Sequence, residues 1–227
     1  QTTFLKFGVH YDDLYKSSAL INITKKRLFT KNDLASFDFI LGDNVRYNFD
    51  YYIDRGFYWS IGLNSKFDSF DHNVAATTIL SPDQLSLINI NKLAIKVSDY
   101  TSQIYLQTLF NKDLSLTLGG EYKHLRISSE TILDNNNDEK IVFERGDYMS
   151  VFGKLRFDTY DHKYFPKKGV LFNADLHTYL HASQYRSDFT SFSIAKASFG
   201  YSKSFSSKFS TNITSETGFR MGQDTNT

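Results

Sequence analysis

Phe157-Asp158-Thr159-Tyr160-Asp161-His162-Lys163-Tyr164-Phe165-Pro166-Lys167-Lys168-Gly169 lies between two long runs of alternating apolar and polar residues. Before it, Met149, Val151, Leu155 and Phe157 alternate with Ser150, Lys154, Arg156 and Asp158. After it, Phe172, Ala174 and Leu176 alternate with Asn173, Asp175 and His177. Successive side chains of a strand point to opposite faces, so each run gives one apolar and one polar face. Pro166 cannot donate to a sheet ladder and marks a strand end. Gly169 permits the backbone angles of a tight turn. The stretch predicts a strand, a turn on Lys167-Lys168-Gly169, and a second strand from Val170.

The same period of two extends in both directions. Leu5, Phe7, Val9 and Tyr11 alternate with Lys6, Gly8 and His10; Val45, Tyr47, Phe49, Tyr51 and Ile53 alternate with Arg46, Asn48, Asp50 and Tyr52. Phe57, Trp59, Ile61 and Leu63 read as one strand, and Leu114, Leu116, Leu118 and Tyr122 as another. Leu93, Ile95 and Val97 give way to Ile104, Leu106 and Phe110, a phase slip near Ser98-Asp99 that predicts a bulge. About eleven strands result, several of them matching the ~9–11 residues of a tilted membrane strand. Short connections fall at Phe29 to Asp33, Asp54 to Gly56, Asn111 to Asp113, Lys167 to Gly169 and Ser206 to Lys208. Longer ones fall at Asp71 to Leu87 and at Leu133 to Asp147, where Asn135-Asn136-Asn137-Asp138 reads as a polar loop tip. Tyr51, Tyr52, Phe57, Tyr58 and Trp59 suit an aromatic girdle near strand ends.

Composition narrows the class. The chain has no Cys, hence no disulfide framework and no thiolate chemistry. No apolar run reaches the ~18 residues of a transmembrane helix, and mean hydropathy is −0.39. A barrel strand alternates lipid-facing and lumen-facing residues, so its average cancels. The net charge of +1 argues against nucleic acid as a partner. Gln1-Thr2-Thr3-Phe4 does not resemble a signal peptide, so either a leader has been removed or the chain is a segment of something longer. A soluble β-sandwich would also alternate. Strand length and one-sided loop lengths favour an all-β, transmembrane antiparallel β-barrel. Single-chain barrels of bacteria have even strand numbers, so about eleven strands point to the first part of a larger one.

Asp158, Asp161, Phe165, Pro166 and Gly169 resemble the turn signature of the outer-membrane assembly-factor superfamily, the BamA/TamA-like or surface-antigen barrels. The resemblance implies that residues 1–227 are a single partial domain, about the first 11 of 16 strands. It implies the outer membrane of a Gram-negative bacterium, contact with its lipid and lipopolysaccharide, and client protein strands, an attached N-terminal domain or a second copy as partners. In that family an inward-folding loop with a Val/Ile-Arg-Gly-Phe element follows the eleventh strand; Arg55-Gly56-Phe57 matches part of it but sits in an early short turn. Asp158 and Asp161 either brace such a loop or cap their own turn. Leu20-Ile21-Asn22-Ile23-Thr24-Lys25, Leu41-Gly42-Asp43-Asn44-Val45-Arg46-Tyr47 and Gly62-Leu63-Asn64-Ser65 are similar to the C-terminal barrels of patatin-like phospholipases. That likeness implies POTRA-type and patatin domains upstream of residue 1. The Gly-x-Ser-x-Gly elbow of a patatin hydrolase does not occur in these 227 residues, so catalysis would lie upstream of Gln1.

No catalytic, cofactor-binding or metal site is predicted within the chain. His177 and His181 have a zinc-like spacing, but on one face of a strand they stand ~13 Å apart. Asp175 and His177 share the predicted lumen face, the pairing that a rim-site protease of omptin type would use at its outer rim. Arg46, Glu121, Lys123, Lys154, Arg156 and Asp175 are predicted to face the lumen, as are Lys96, Asp158 and Glu216. Charges of both signs pair across a sheet, whereas a selective pore more often carries a ring of one sign. The expected function is an outer-membrane assembly or translocation barrel, the anchor or export module of a patatin-like lipid hydrolase. The alternative is a diffusion porin or a substrate-specific outer-membrane channel.

Overall fold

In the computed structural model the alternation becomes eleven antiparallel strands of one sheet, each hydrogen-bonded to its neighbours in sequence. The strands are β1 (Thr2–Asp12), β2 (Lys16–Lys26), β3 (Asp33–Gly42), β4 (Arg46–Ile53), β5 (Ser60–Ala75) and β6 (Lys92–Leu109). They continue as β7 (Leu114–Leu133), β8 (Lys140–Asp158), β9 (Gly169–Ser183), β10 (Phe192–Ser204) and β11 (Ser210–Gly222). The structure describes residues 2–12, 16–75, 77, 92–133, 140–183, 189–206 and 209–222, and no α-helix occurs among them. The tip 135–138 lies outside the described residues.

The two faces differ in kind. One carries hydrogen-bonded polar rows: Asn22 Nδ2 donates to Ser36 Oγ (3.1 Å), and Asn64 Nδ2 donates to Asn48 Oδ1 (2.8 Å). The other carries Ile21 opposite Phe39, Phe39 opposite Tyr47, and Ile61 opposite Leu106. Among the described residues, Ala35, Leu93, Ile95 and Phe152 are the buried hydrophobic side chains, far fewer than a sandwich core requires. The apolar face instead leaves side chains such as Ile23, Leu63, Leu106, Leu118 and Val151 exposed, as a lipid-facing wall must.

Five turns, after the even-numbered strands, carry exposed aromatics: Phe29; Phe57, Tyr58 and Trp59; Phe110; Tyr164 and Phe165; Phe205 and Phe209. They form a belt at one end of the wall. At the other end the apolar face stops at Phe67, Tyr100, Tyr122 and Met149 on β5 to β8. From Tyr122 back to Leu114, and from Met149 on to Phe157, the lipid-facing stretch is 9 residues on each strand, which matches a tilted membrane crossing. The same two strands have 20 and 19 residues, so they project well beyond the lipid.

This projection accounts for the departures from the sequence reading. No bulge breaks β6 near Ser98-Asp99, where the register runs through Ser69↔Ser98 and Asp68↔Asp99 on one side and Ser98↔Arg126 and Asp99↔Leu125 on the other. Leu93, Ile95 and Val97 share the inner face with Asp99 and Thr101, while Lys96 points outward with Tyr100 and Ile104. The apparent slip is the strand leaving the membrane, where the outer face turns polar. Register shifts occur instead between Ile127 and Leu133 and at Met149/Ser150. Strand β5 runs on to Ala75, past the predicted loop start at Asp71, and β8 starts at Lys140, well before the predicted loop end at Asp147. Phe57 and Trp59 are not strand residues: Arg55 N–H donates to Ser60 Oγ (2.9 Å), and Gly56 adopts φ +68°, which closes a turn before Ser60.

Candidate functional site

Strands β5 to β11 curve around a polar hollow of about 850 Å³. Glu121, Lys123, Lys154 and Asp175 line it, together with Glu216. Arg46 and Arg156 do not: Arg46 Nε lies 4.0 Å from Asp68 Oδ1, and Arg156 borders a second hollow with Asp158, Tyr160 and Lys163. Lys66, Gln103, Tyr179 and Lys196 also line the main hollow and were missed by the sequence reading. Their signal is the strand period itself, which puts them in phase with Glu121 and Asp175.

Charges of opposite sign pair across the wall at two places. Lys123 Nζ donates to Asp99 Oδ2 (2.6 Å), and Lys154 Nζ lies 3.9 Å from Asp175 Oδ2. His177 sits between two carboxylates, 3.3 Å from Asp175 and 3.7 Å from Glu121. Glu121, 9% exposed, also accepts from Gln103 Nε2 and from Ser150 Oγ (3.4 Å). Ser150 thus points its hydroxyl at a carboxylate and not at an imidazole, which is not the geometry of an activated nucleophile. Asp175 and His177 lie mid-strand in β9, opposite Lys154 and Phe152, and not at a rim. His181 faces away from His177, because the extra residue Leu180 at the Met149/Ser150 shift inverts the alternation.

Three inward glycines seat aromatic rings. A Cβ on Gly62 would stand 2.0 Å from Tyr105 Cζ, on Gly119 2.5 Å from Phe152 Cζ, and on Gly200 2.2 Å from the Tyr160 hydroxyl oxygen. Phe152 in turn stacks on His177 (centroids 5.1 Å apart), so Gly119 indirectly sets the imidazole between its two acids. Glycines at inward strand positions are the sequence signal for such close approach.

The β8–β9 turn is held mainly by its own side chains. Asp158 accepts from Arg156 Nη2 (2.6 Å) and from the Tyr160 N–H (3.1 Å). Asp161 Oδ1 accepts from the N–H groups of Lys167 (2.9 Å) and Lys168 (3.1 Å). The Lys167 N–H, foremost, holds the Asp161 carboxyl below its ordinary pKa; partial desolvation opposes this and the Lys168 N–H adds to it. Thr159 and Val170 close the turn with reciprocal bonds: Thr159 N–H to Val170 O (2.8 Å) and Val170 N–H to Thr159 Oγ1 (2.8 Å). Gly169 has φ +119°, and Phe165 is exposed beside Pro166 at the aromatic belt.

One antiparallel sheet, apolar outside, polar and charge-paired inside, and belted by aromatics, is the wall of a transmembrane β-barrel. The chain belongs to the OMP85 superfamily, whose family model matches residues 1–227. It is therefore a β-barrel domain of a bacterial outer membrane. Among solved structures it is similar to BamA from Haemophilus ducreyi lacking POTRA domains 1–3, at 16% identity and TM-score 0.70 over 98% of this chain. It is also similar to CdiB from Acinetobacter baumannii, at 11% identity and TM-score 0.55 over 100% of this chain. The chain spans 42% of that BamA structure and 40% of that CdiB structure. No curated protein matches the sequence.

Proposed function

We propose that this domain is part of an assembly- or translocation-type barrel in a Gram-negative outer membrane, about the first eleven of sixteen strands, and that it anchors and exports a patatin-like lipid hydrolase. The observation that carries the reading is the family match along the whole of residues 1–227. The phrases Leu20–Lys25, Leu41–Tyr47 and Gly62–Ser65 support the hydrolase branch. The similar BamA structure is described as lacking POTRA domains 1–3, so that protein has such domains, which supports POTRA-type modules upstream of Gln1. Hydrolysis then belongs upstream as well, since the hollow is built as a hydrated, charge-paired lining.

Strand β1 is an edge of the sheet, and its outward residues Phe7 and Val9 are 72% and 92% exposed. An unpaired edge offers N–H and C=O groups to another strand, which suits a client segment or, in a homodimer, a second copy. The exposed apolar face meets outer-membrane lipid, including lipopolysaccharide. The polar hollow favours a second reading, a diffusion or substrate-specific channel.

An intact mass and sequence of the native protein from outer membranes tests the proposal. A mass far above 26.2 kDa, with POTRA repeats and a Gly-x-Ser-x-Gly elbow before Gln1, is expected. A mass near 26.2 kDa overturns it, and steady ion conductance in planar bilayers would then favour the channel.

A further inference from the structure

Above Phe67, Tyr100, Tyr122 and Met149 the outer face of the wall becomes polar, and its charges there are mostly matched. Asp71 stands opposite Lys96, His124 Nδ1 lies 2.6 Å from Asp147 Oδ1, and Lys140 pairs with Glu130. One pair breaks the pattern: Arg126 on β7 is directly opposite Arg145 on β8. Both are exposed, and among the described residues neither guanidinium joins an ion pair or hydrogen bond. Opposite residues of an antiparallel pair have Cβ atoms ~5 Å apart, and like charges placed so destabilise the sheet. The nearby carboxylate is already engaged, since Asp147 accepts from Tyr122, His124 and Ser183.

We propose that Arg126 and Arg145 form a two-guanidinium fork that binds a phosphate of a phosphorylated glycolipid in the outer leaflet. Two planar forks side by side match the oxygens of a phosphate. Position selects the ligand. Each Arg is four residues beyond the last lipid-facing side chain of its strand, Tyr122 or Met149. That is ~13 Å along the strand, or ~10 Å in height at a barrel tilt of ~40°. A phospholipid headgroup layer is only ~5–8 Å deep, so the fork stands at the level of a taller, sugar-based headgroup. The short aromatic-belted turns mark the opposite end as periplasmic, which puts the fork outside the cell. The site deepens the lipid contact in the proposed function and depends on the barrel's orientation, not on the attached hydrolase.

The test measures the thermal unfolding midpoint of the full-length protein in detergent without lipid, with lipopolysaccharide, with dephosphorylated lipopolysaccharide, and with inorganic phosphate. Lipopolysaccharide is expected to raise the midpoint and to bind about tenfold tighter than its dephosphorylated form, the effect of one charge-assisted contact. R126Q/R145Q is expected to lose that preference while unfolding at the same or a higher temperature than wild type without lipid, because the repulsion is gone. A purely structural pair would show the opposite sign in lipid-free detergent. Equal response to both lipopolysaccharides, or an unchanged preference in R126Q/R145Q, overturns the site. An equal rise with inorganic phosphate overturns the glycolipid assignment. R145Q alone, with heat-modifiable migration on gels as the folding check, is expected to lose part of the preference if the double variant folds poorly; an unchanged preference there also overturns the site. Failure of the hydrolase reading changes none of these results.

Discussion

Gly169→Ala tests whether the β8–β9 turn is held by backbone geometry. Gly169 has φ +119°, beyond the left-handed region that Asn or Asp can occupy, and an L residue there is strained by ~1–3 kcal/mol. A Cβ would also stand 2.3 Å from the Thr159 carbonyl oxygen and 2.7 Å from its carbon. Thr159 has little freedom to yield, because its N–H and hydroxyl both bond to Val170 O (2.8 and 3.1 Å) while Val170 N–H bonds to Thr159 Oγ1 (2.8 Å). Moving it weakens these bonds, each worth ~0.5–1.5 kcal/mol net. Reduced freedom of the unfolded chain returns ~0.4–1 kcal/mol. The sum is a loss of about 2–4 kcal/mol.

Gly120→Ala is the matched control. Its Cβ would meet Ser150 O at 3.9 Å, an ordinary contact, on a strand where Ala is favoured over Gly by ~0.5–1 kcal/mol. Urea unfolding of the full-length protein in detergent micelles, followed by intrinsic fluorescence, measures both variants against wild type. Gly169→Ala should lower the midpoint clearly, and Gly120→Ala should leave it unchanged or raise it. If Gly169→Ala lies within ~0.5 kcal/mol of wild type, the turn tolerates a side chain and the geometric reasoning is wrong.

Three further outcomes follow from the same geometry. The depressed Asp161 carboxyl stabilises the turn fully above its unfolded value near 3.8, and the contribution is lost as pH falls through the lower folded value. Amide exchange at Lys167 and Lys168 should therefore accelerate in acid beyond the intrinsic pH effect in wild type, and Asp161→Asn should abolish that excess. Lys123 and Asp99, bonded at 2.6 Å, should show a coupling of about 1–2 kcal/mol in a Lys123→Met and Asp99→Asn double-mutant cycle; additive single effects would contradict the bridge. Trp59, the single Trp, sits on an aromatic-belt turn, so lipids brominated near the headgroup should quench it more than lipids brominated near the chain end; the reverse order would place the turn elsewhere.

The period of two and the punctuation at Pro166 and Gly169 carry most of the fold in the sequence, because a wall with one wet and one lipid face writes its sidedness into every strand. Strand limits were harder. Phe57 and Trp59 continue the alternation past the true start of β5, since belt aromatics are as apolar as strand residues. The site was legible only in kind: polar residues in phase with Glu121 and Asp175 must face inward. Which of them touch depends on register across four strands, and alternation defines register only to within two residues. That His177 lies between Glu121 and Asp175, and that His181 has left the face, follows from pairings and one extra residue that no local pattern records.

The slip at Ser98-Asp99 is a change of solvent along an unbroken strand. A bulge and a change of solvent both reverse which phase of a strand is apolar, and within one strand they look alike. Neighbours separate them. On β5 the outer face changes from Phe67 to Ser69 and Asp71; on β7 it changes from Tyr122 to His124 and Arg126; on β8 it changes from Met149 to Asp147 and Arg145. A bulge is local to one pair, whereas a boundary crosses every strand at a height that shifts with tilt. Four adjacent strands reversing together therefore define a plane, and beyond it the inner face gains Phe70, Val97 and Ile127 as cross-strand neighbours. Below the plane lipid solvates the outside and water the inside; above it water solvates the outside, and the inside is free to become a core. The overhang of β5 to β8 is thus built by soluble-protein rules on a membrane-protein wall, and its outward charges, the unmatched Arg126 and Arg145 among them, stand beyond the lipid-facing band.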